Sequence, residues 1–217
     1  MLKIEKLNFA INGKEIIKDI SFKLKPGEKA VITGESGTGK TTLFRTIIGL
    51  HKPQTGTIEI DGLKIEAQNL DKIRQRICYI QQETRAIPDQ TAHEFIYFPF
   101  TFKNNRHIKP DREDILEYFD RFNLKRKLFD SQMTDLSGGE KQRMAIIRGL
   151  LLKRKLILAD EISTAIDPSN KEKVLDEIFN DKDLTVIAIT HDETLLNKAS
   201  TIISMESGKI ASIERKQ

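Results

Sequence analysis

Four short apolar runs end abruptly in polar residues, and this repeated arrangement limits the possible folds more than any other feature of the 217-residue chain. They are Ala30-Val31-Ile32 before Thr33-Gly34, Ile77 to Ile80 before Gln81-Gln82, Leu156 to Ala159 before Asp160-Glu161, and Val186 to Ile189 before Thr190-His191. Runs without polar alternation suit parallel strands covered on both faces. In open α/β sheets ligands bind beyond the carboxyl ends of such strands. The runs therefore predict a mainly parallel sheet that delivers four polar groups to one crevice.

The flanking segments follow other periods. Leu2/Ile4 and Ile20/Phe22/Leu24 alternate on either side of Asn12-Gly13, which predicts antiparallel strands joined by a turn, and Thr57 to Ile60 before Asp61-Gly62 predicts another strand. Between Thr91 and Asp135 the spacing becomes helical, most clearly in Ile115, Leu116, Phe119, Phe122 and Leu124. A further helix is expected after Gly138-Gly139, through Met144, Ile147 and Leu151, and the polar end from Ser212 to Gln217 is expected to fray. The fold class is α/β in one domain, 1–217. Residues 1–82 and 136–217 form its core with an antiparallel β subdomain, and 83–135 form an inserted helical subdomain that extends into the next helix.

Composition excludes some classes of function. No apolar stretch approaches the ~20 residues that cross a bilayer, because even Gly149 to Asp160 is interrupted by Lys153-Arg154-Lys155. The start, Met1 to Glu5, alternates like a strand and has no apolar signal core. The lone Cys78 can form no internal disulfide, fits a reducing compartment and reads as a buried strand residue. The net charge of +4, from 36 Lys+Arg and 32 Asp+Glu, is scattered in both signs. The charge argues neither for nor against nucleic acid; a cytoplasmic protein is expected, and with no long basic or coiled insertion in the chain no nucleic-acid partner is expected.

The chemistry starts at Gly34-Glu35-Ser36-Gly37-Thr38-Gly39-Lys40-Thr41, which matches G-x-x-x-x-G-K-[ST] between a predicted strand and a helical run starting at Thr42. Glycines let backbone N–H groups wrap phosphates, Lys40 neutralises the β- and γ-phosphates, and the Thr41 hydroxyl reaches Mg²⁺. Asp160 ends the strand suited to hold that metal, and Glu161 follows it as the candidate general base. Ser137-Gly138-Gly139 opens a helix with a hydroxyl and approachable N–H groups, a second anion cradle. Two cradles but one nucleotide motif make sense if the second closes over the nucleotide of another copy.

With Leu136-Ser137-Gly138-Gly139-Glu140-Lys141-Gln142-Arg143 in place, the chain resembles the ATP-binding-cassette (ABC) family over essentially its whole length. The resemblance implies the P-loop NTPase fold, ATP and Mg²⁺ as cofactors, a homodimer formed on ATP binding, and ATP hydrolysis. It implies nucleotide contacts from residues 34–42, including Thr42, from Ser137, Gly138 and Gly139, and from Asp167 in the D-loop 163–167. Metal contacts fall to Thr41, Asp160 and Gln82, and catalysis to Glu161, Lys40, Gln82 and His191, the switch histidine. Either Gln81 or Gln82 could reach the metal, and the resemblance favours Gln82. The aromatic residue that stacks on adenine in the family falls on Ile11. Phe9 shares that strand face and either replaces it or belongs to the core.

Within the family, Tyr97-Phe98-Pro99-Phe100, Glu117 to Phe122 and Asp160 to Lys171 resemble the Fet-type iron-export ATPases. That implies a separate polytopic membrane permease, attachment to the inner face of the cell membrane through it, and export of iron or a similar metal. An importer ATPase and a soluble regulatory cassette protein are the alternatives. The run Phe95 to Phe102 either packs the helical subdomain or forms a groove for a partner helix. His51, His93 and His107 are expected to face solvent.

Overall fold

The computed structural model describes residues 1–216, and Gln217 lies outside them. Strands β1 (Leu2–Ile11) and β2 (Lys14–Leu24) form a hairpin. Its turn residues Asn12 and Gly13 have φ of 51° and 78°, the left-handed pair that a tight hairpin turn demands. Next come β3 (Lys29–Thr33), α1 (Lys40–Ile47), β4 (Thr55–Ile60) and β5 (Leu63–Lys64). An antiparallel sheet results, in the order β2-β1-β4-β5.

The chain continues through α2 (Leu70–Arg74), β6 (Ile77–Ile80), α3 (Ala92–Tyr97), α4 (Arg112–Arg121), α5 (Gly138–Leu151) and β7 (Leu156–Asp160). It closes with α6 (Pro168–Phe179), β8 (Thr185–Ile189), α7 (Glu193–Lys198), β9 (Thr201–Glu206) and β10 (Lys209–Arg215). The second sheet has the order β10-β9-β3-β8-β7-β6. All its pairs are parallel except β10 with β9. The four apolar runs are its adjacent strands β3, β8, β7 and β6. The chain end differs from expectation: Ser212 to Arg215 pair with β9 instead of fraying, and Arg215 also donates to Lys23 O.

Alternate residues of these strands enter two different cores, so most of their positions are apolar. Ala30, Ile32, Leu156, Leu158, Ile187 and Ile189 pack with Leu43, Phe44 and Ile47 of α1 and with the antiparallel sheet. Val31, Ile157, Ala159, Val186 and Ala188 face α5, α6 and the helical segment. Cys78 is buried in that second layer, where burial pushes its thiol up to about 11.

In the helical segment, side-chain caps start each helix. Thr91 and Glu94 form a reciprocal cap on α3, and Asp111 and Asp114 do the same on α4. Pro99 ends α3 and starts a 3₁₀ turn. Phe95, Ile96 and Phe100 fill the core, whereas Phe98 and Phe102 are exposed and meet edge to face at 5.5 Å. The aromatic run thus packs the helical segment with some of its rings and leaves Phe98 and Phe102 at the surface. His107 is exposed as expected, but His51 and His93 are half-buried. Each finds a ring to stack on: His51 on Phe9 at 4.9 Å and His93 on Phe129 at 5.2 Å.

Candidate functional site

The turn from β3 into α1 is built so that only glycine fits at its two ends. Gly34 has φ 140°, and a Cβ there would lie 2.1 Å from Met205 O. At Gly39, with φ 98°, it would lie 2.8 Å from Ile16 O. The loop wraps the Lys40 ammonium, which donates to Gly34 O at 2.5 Å and Glu35 O at 2.7 Å. Lys40 is 6% exposed, and burial lowers its pKa against the opposing pull of Glu161 and Asp160. Leu43 N–H reaches Gly39 O at 2.8 Å. The N–H groups of Lys40, Thr41 and Thr42 have no backbone acceptor among the described residues, as expected at a helix start. Buried ammonium, free N–H groups and the positive end of the helix dipole together fit a polyphosphate.

Asp160, 4% exposed at the end of β7, is the anchor for this loop. One carboxylate oxygen accepts from Thr41 Oγ1 at 3.4 Å and the other from the Tyr79 hydroxyl at 3.0 Å. Burial and the Asp160 charge push the Tyr79 phenol well above its ordinary value. Thr41 and Asp160 therefore supply adjacent hard oxygen donors of the kind Mg²⁺ takes. The next residue, Glu161, has φ 48°, a left-handed backbone that costs a non-glycine residue roughly 1–2 kcal/mol. Its N–H is tied to Ile189 O at 2.9 Å, and its carboxylate accepts from Gln82 Nε2 at 2.9 Å. Gln81 has another use: its carbonyl accepts from Gln142 Nε2 at 3.3 Å.

His191 follows β8 with its imidazole exposed and without a hydrogen-bond partner among the described residues. Its neighbours are fixed. Asp192 N–H donates to Thr190 Oγ1 at 3.0 Å, and the Asp192 carboxylate pairs with Lys171 at 2.7 Å and caps α7. One group of predicted residues is thus joined directly by hydrogen bonds, Thr41 to Asp160 and Gln82 to Glu161, while His191 stands at the neighbouring strand end.

The second cradle is separate. Ser137 caps α5 and shares two hydrogen bonds with the Glu140 carboxylate, from its own N–H at 2.8 Å and its hydroxyl at 2.9 Å. Gly138 opens onto free space, and a Cβ on Gly139 would lie 2.8 Å from Ala165 O. No hydrogen bond joins this cradle to residues 34–42 among the described residues. Asp167 is committed within its own chain: Ser169, Asn170 and Arg143 all donate to its carboxylate and hold it well below the usual range. Ile11 is 45% exposed at the end of β1. Phe9 is 8% exposed and stacked on His51, so it is a core residue and not a surface on which a base could lie. Ile11, two residues further on at the strand end, is exposed while Phe9 is packed inward.

Two residues at the site escaped the sequence reading. Tyr79, which fixes Asp160, lies inside an apolar run. Gln142 is 1% exposed and accepts from Thr84 Oγ1 at 3.1 Å while bonding Gln81, which joins α5 to the segment after β6. Its place inside the quoted motif was the available signal.

A glycine phosphate loop, a buried strand-end aspartate and an adjacent glutamate define a P-loop nucleotide hydrolase. Residues 17–164 match the family model described as ABC transporter. The probable iron export ATP-binding protein FetA of Escherichia coli K12 is 32% identical over 209 residues, 95% of this chain and 91% of that one. The energy-coupling factor transporter ATP-binding protein EcfA1 of Mycoplasmopsis synoviae is 33% identical, with 97% and 81% covered. Among solved structures, the dimeric ABC cassette MJ0796 bound to ADP and Pi superposes with a TM-score of 0.85 at 28% identity, covering 100% of this chain and 99% of that one. The chain belongs to the ABC transporter family: it is an ATPase, and it binds ATP with Mg²⁺. Among the described residues no helix is long and apolar enough to cross a membrane.

Proposed function

We propose that this chain is the energy-coupling ATPase of an exporter of iron or a similar metal, acting with a separate polytopic membrane subunit at the inner face of the cell membrane. The observation that carries this reading is the match to the iron-export protein over nearly the full length of both chains. The metal crosses through the membrane subunit. An importer is the second reading, supported by 35% identity to a methionine import ATP-binding protein of Bacillus subtilis over 89% of this chain and 58% of that one. To decide, tagged chain is purified from solubilised native membranes and cellular iron is measured after its gene is deleted. Export requires a stoichiometric membrane companion and a rise in cellular iron. A fall in iron would favour import, and a chain without a companion would sink both.

In this reading two copies clasp two ATP molecules, each between residues 34–42 of one copy and Ser137, Gly138 and Gly139 of the other. The wide separation of tasks between the two cradles supports it, as does the dimer of the neighbour MJ0796. Glu161 takes the proton of the attacking water. Gln82 donates to Glu161 through Nε2, which leaves Oε1 to accept or to ligate, so one side chain can serve base and metal together. Lys40 gives up its carbonyl partners for phosphate oxygens, and His191 offers a ring N–H to the same group. Tyr79 and Thr41 hold the Asp160 carboxylate in place. When bound, Mg²⁺ neutralises charge on the β- and γ-phosphates.

The membrane subunit docks in the groove between the segment after β6 and the exposed Phe98 and Phe102. This groove has a volume of about 340 Å³. Thr84, on its wall, reaches Gln142 of α5, so pressure in the groove bears on both the Gln82 segment and the helix that carries the second cradle.

A further inference from the structure

Glu140 takes both polar hydrogens of the serine in the second cradle. The Ser137 N–H at 2.8 Å and the Ser137 hydroxyl at 2.9 Å end on the same carboxylate oxygen, Oε2. The hydroxyl oxygen in turn accepts from the Glu140 N–H at 3.3 Å. A serine hydroxyl has one proton to give, and an ionised carboxylate is among the strongest acceptors that can hold it. Burial pushes the half-buried Glu140 carboxyl up, but the two Ser137 donors, helped by Arg143 and Lys125, hold it below its ordinary value. It is therefore charged at neutral pH. In the proposed dimer the γ-phosphate bound by another copy comes to Ser137, Gly138 and Gly139. There it meets a hydroxyl whose proton is already taken, with a second negative charge beside it.

A displaced carboxylate has a second acceptor position within reach. Arg143 follows three residues along α5, the spacing that puts two side chains on one face of a helix. It is 6% exposed, and one nitrogen of its fork donates to Asp167 at 3.0 Å. Its Nε is the one buried side-chain nitrogen or oxygen among the described residues that has no hydrogen-bond partner, and a buried donor left unmatched costs stability. We propose that Glu140 is a positioning residue with two stations, Ser137 in the free chain and Arg143 Nε once phosphate takes the serine hydroxyl, and that it sets the ATP concentration at which two copies close. The inference rests on the dimer reading above and adds the side chain that regulates it. When the phosphate leaves, the hydroxyl proton returns to Glu140 and the cradle is reset.

The test is run on Glu161→Gln chains, in which hydrolysis does not deplete the dimer. Glu140→Gln keeps the length and the cap, but its amide can turn to donate to the serine oxygen and so release the hydroxyl proton. The ATP concentration at half dimerisation, read by light scattering, should fall about threefold or more, in the range of one net hydrogen bond. ATP affinity at protein concentrations too low for dimers should stay unchanged. Glu140→Met, with neither charge nor oxygen, should move the midpoint the same way, and adding Ser137→Ala should remove most of the gain. Arg143→Lys, which keeps a cation for Asp167 but has no Nε, should raise the midpoint. With Glu161 natural, Glu140→Gln should lower KM for ATP more than it changes kcat, a split that a weakened helix cap does not give. A midpoint that holds or rises in both Glu140 variants would overturn the proposal and leave Glu140 as a cap alone. Equal gain with and without the Ser137 hydroxyl would overturn the competition for its proton, and an unmoved midpoint with Arg143→Lys would overturn the second station. If none of these chains dimerises in ATP, the dimer reading itself fails.

Discussion

The two anion cradles of this chain are both helix starts with glycines, yet they are built to different standards. Residues 34–42 are preorganised: Lys40 is buried, glycine is required at both ends of the loop, and Thr41 is braced by Asp160 and through it by Tyr79. Ser137 to Gly139 have no cation of their own in place, and their serine is occupied with Glu140 in an ordinary helix cap. Free N–H groups at a helix end attract an anion, but only weakly when exposed. In the proposed dimer the first cradle binds a nucleotide alone, whereas the second gains strength only when another copy brings the phosphate to it, a division that would make binding local and turnover cooperative.

The largest effect expected follows from removing the base while leaving both cradles intact. Glu161→Gln should lower turnover by about 10²–10⁴-fold with ATP still bound, and the chain should elute as a dimer in ATP and as a monomer without it. A monomer in excess ATP would break the comparison, because the second cradle would then have no partner nucleotide. Mixing sharpens it further. Chains with Lys40→Ala and chains with Ser137→Arg should each be inactive, but an equal mixture should recover roughly a quarter of natural activity, since half the dimers then carry one intact composite site. No recovery in a phosphate-release assay would mean that both cradles serve the same nucleotide within one chain.

The phosphate loop and the four strand ends were legible because each is a local pattern: an uninterrupted apolar run, then the residue that ends it. What depended on register was not. Tyr79 pairs with Leu158 in the parallel ladder, and the next residue on that face of β7 is Asp160, so a phenol inside an apolar run becomes the brace of the proposed metal ligand. A single sequence does not carry that alignment between strands. For Phe9 the sequence left two roles open, and only packing decides between them: it is buried and stacked on His51, so it belongs to the core. The last strand was missed because β10 is an edge strand whose residues are mostly exposed, and exposure on both faces erases the alternation.

Tyr79 gives the next smaller effect. Tyr79→Phe removes one hydrogen bond to Asp160 and leaves the ring on Phe44. The Mg²⁺ concentration for half-maximal ATPase should rise about tenfold, at the low end of what outer-shell partners of a metal site contribute, with little change in dimer formation. An unchanged requirement would remove Tyr79 from the first cradle. A small rise with Tyr79→Phe beside a large one with Tyr79→Leu would make the ring, not the hydroxyl, responsible.

The smallest effect belongs to the second cradle's surroundings. Asp167 is exposed, and Ser169, Asn170 and Arg143 hold its carboxylate below the usual range. A depressed carboxylate stabilises the folded chain above the ordinary range and loses that contribution as pH falls through its lowered value. Folding should therefore weaken on acidification partly through Asp167, and Asp167→Asn should flatten that part of the acid profile while changing thermal stability at pH 7 only slightly. A profile of melting temperature against pH, taken at low and high salt, checks this. The Arg143 bond forms between the helix of the second cradle and the start of α6, so the same variant should also loosen the Ser137 cap, seen as faster amide exchange over Gly138 to Lys141. Unchanged exchange there, together with an unchanged acid profile, would mean that the second cradle is held by its own cap alone, and the difference in construction between the two cradles would be larger still.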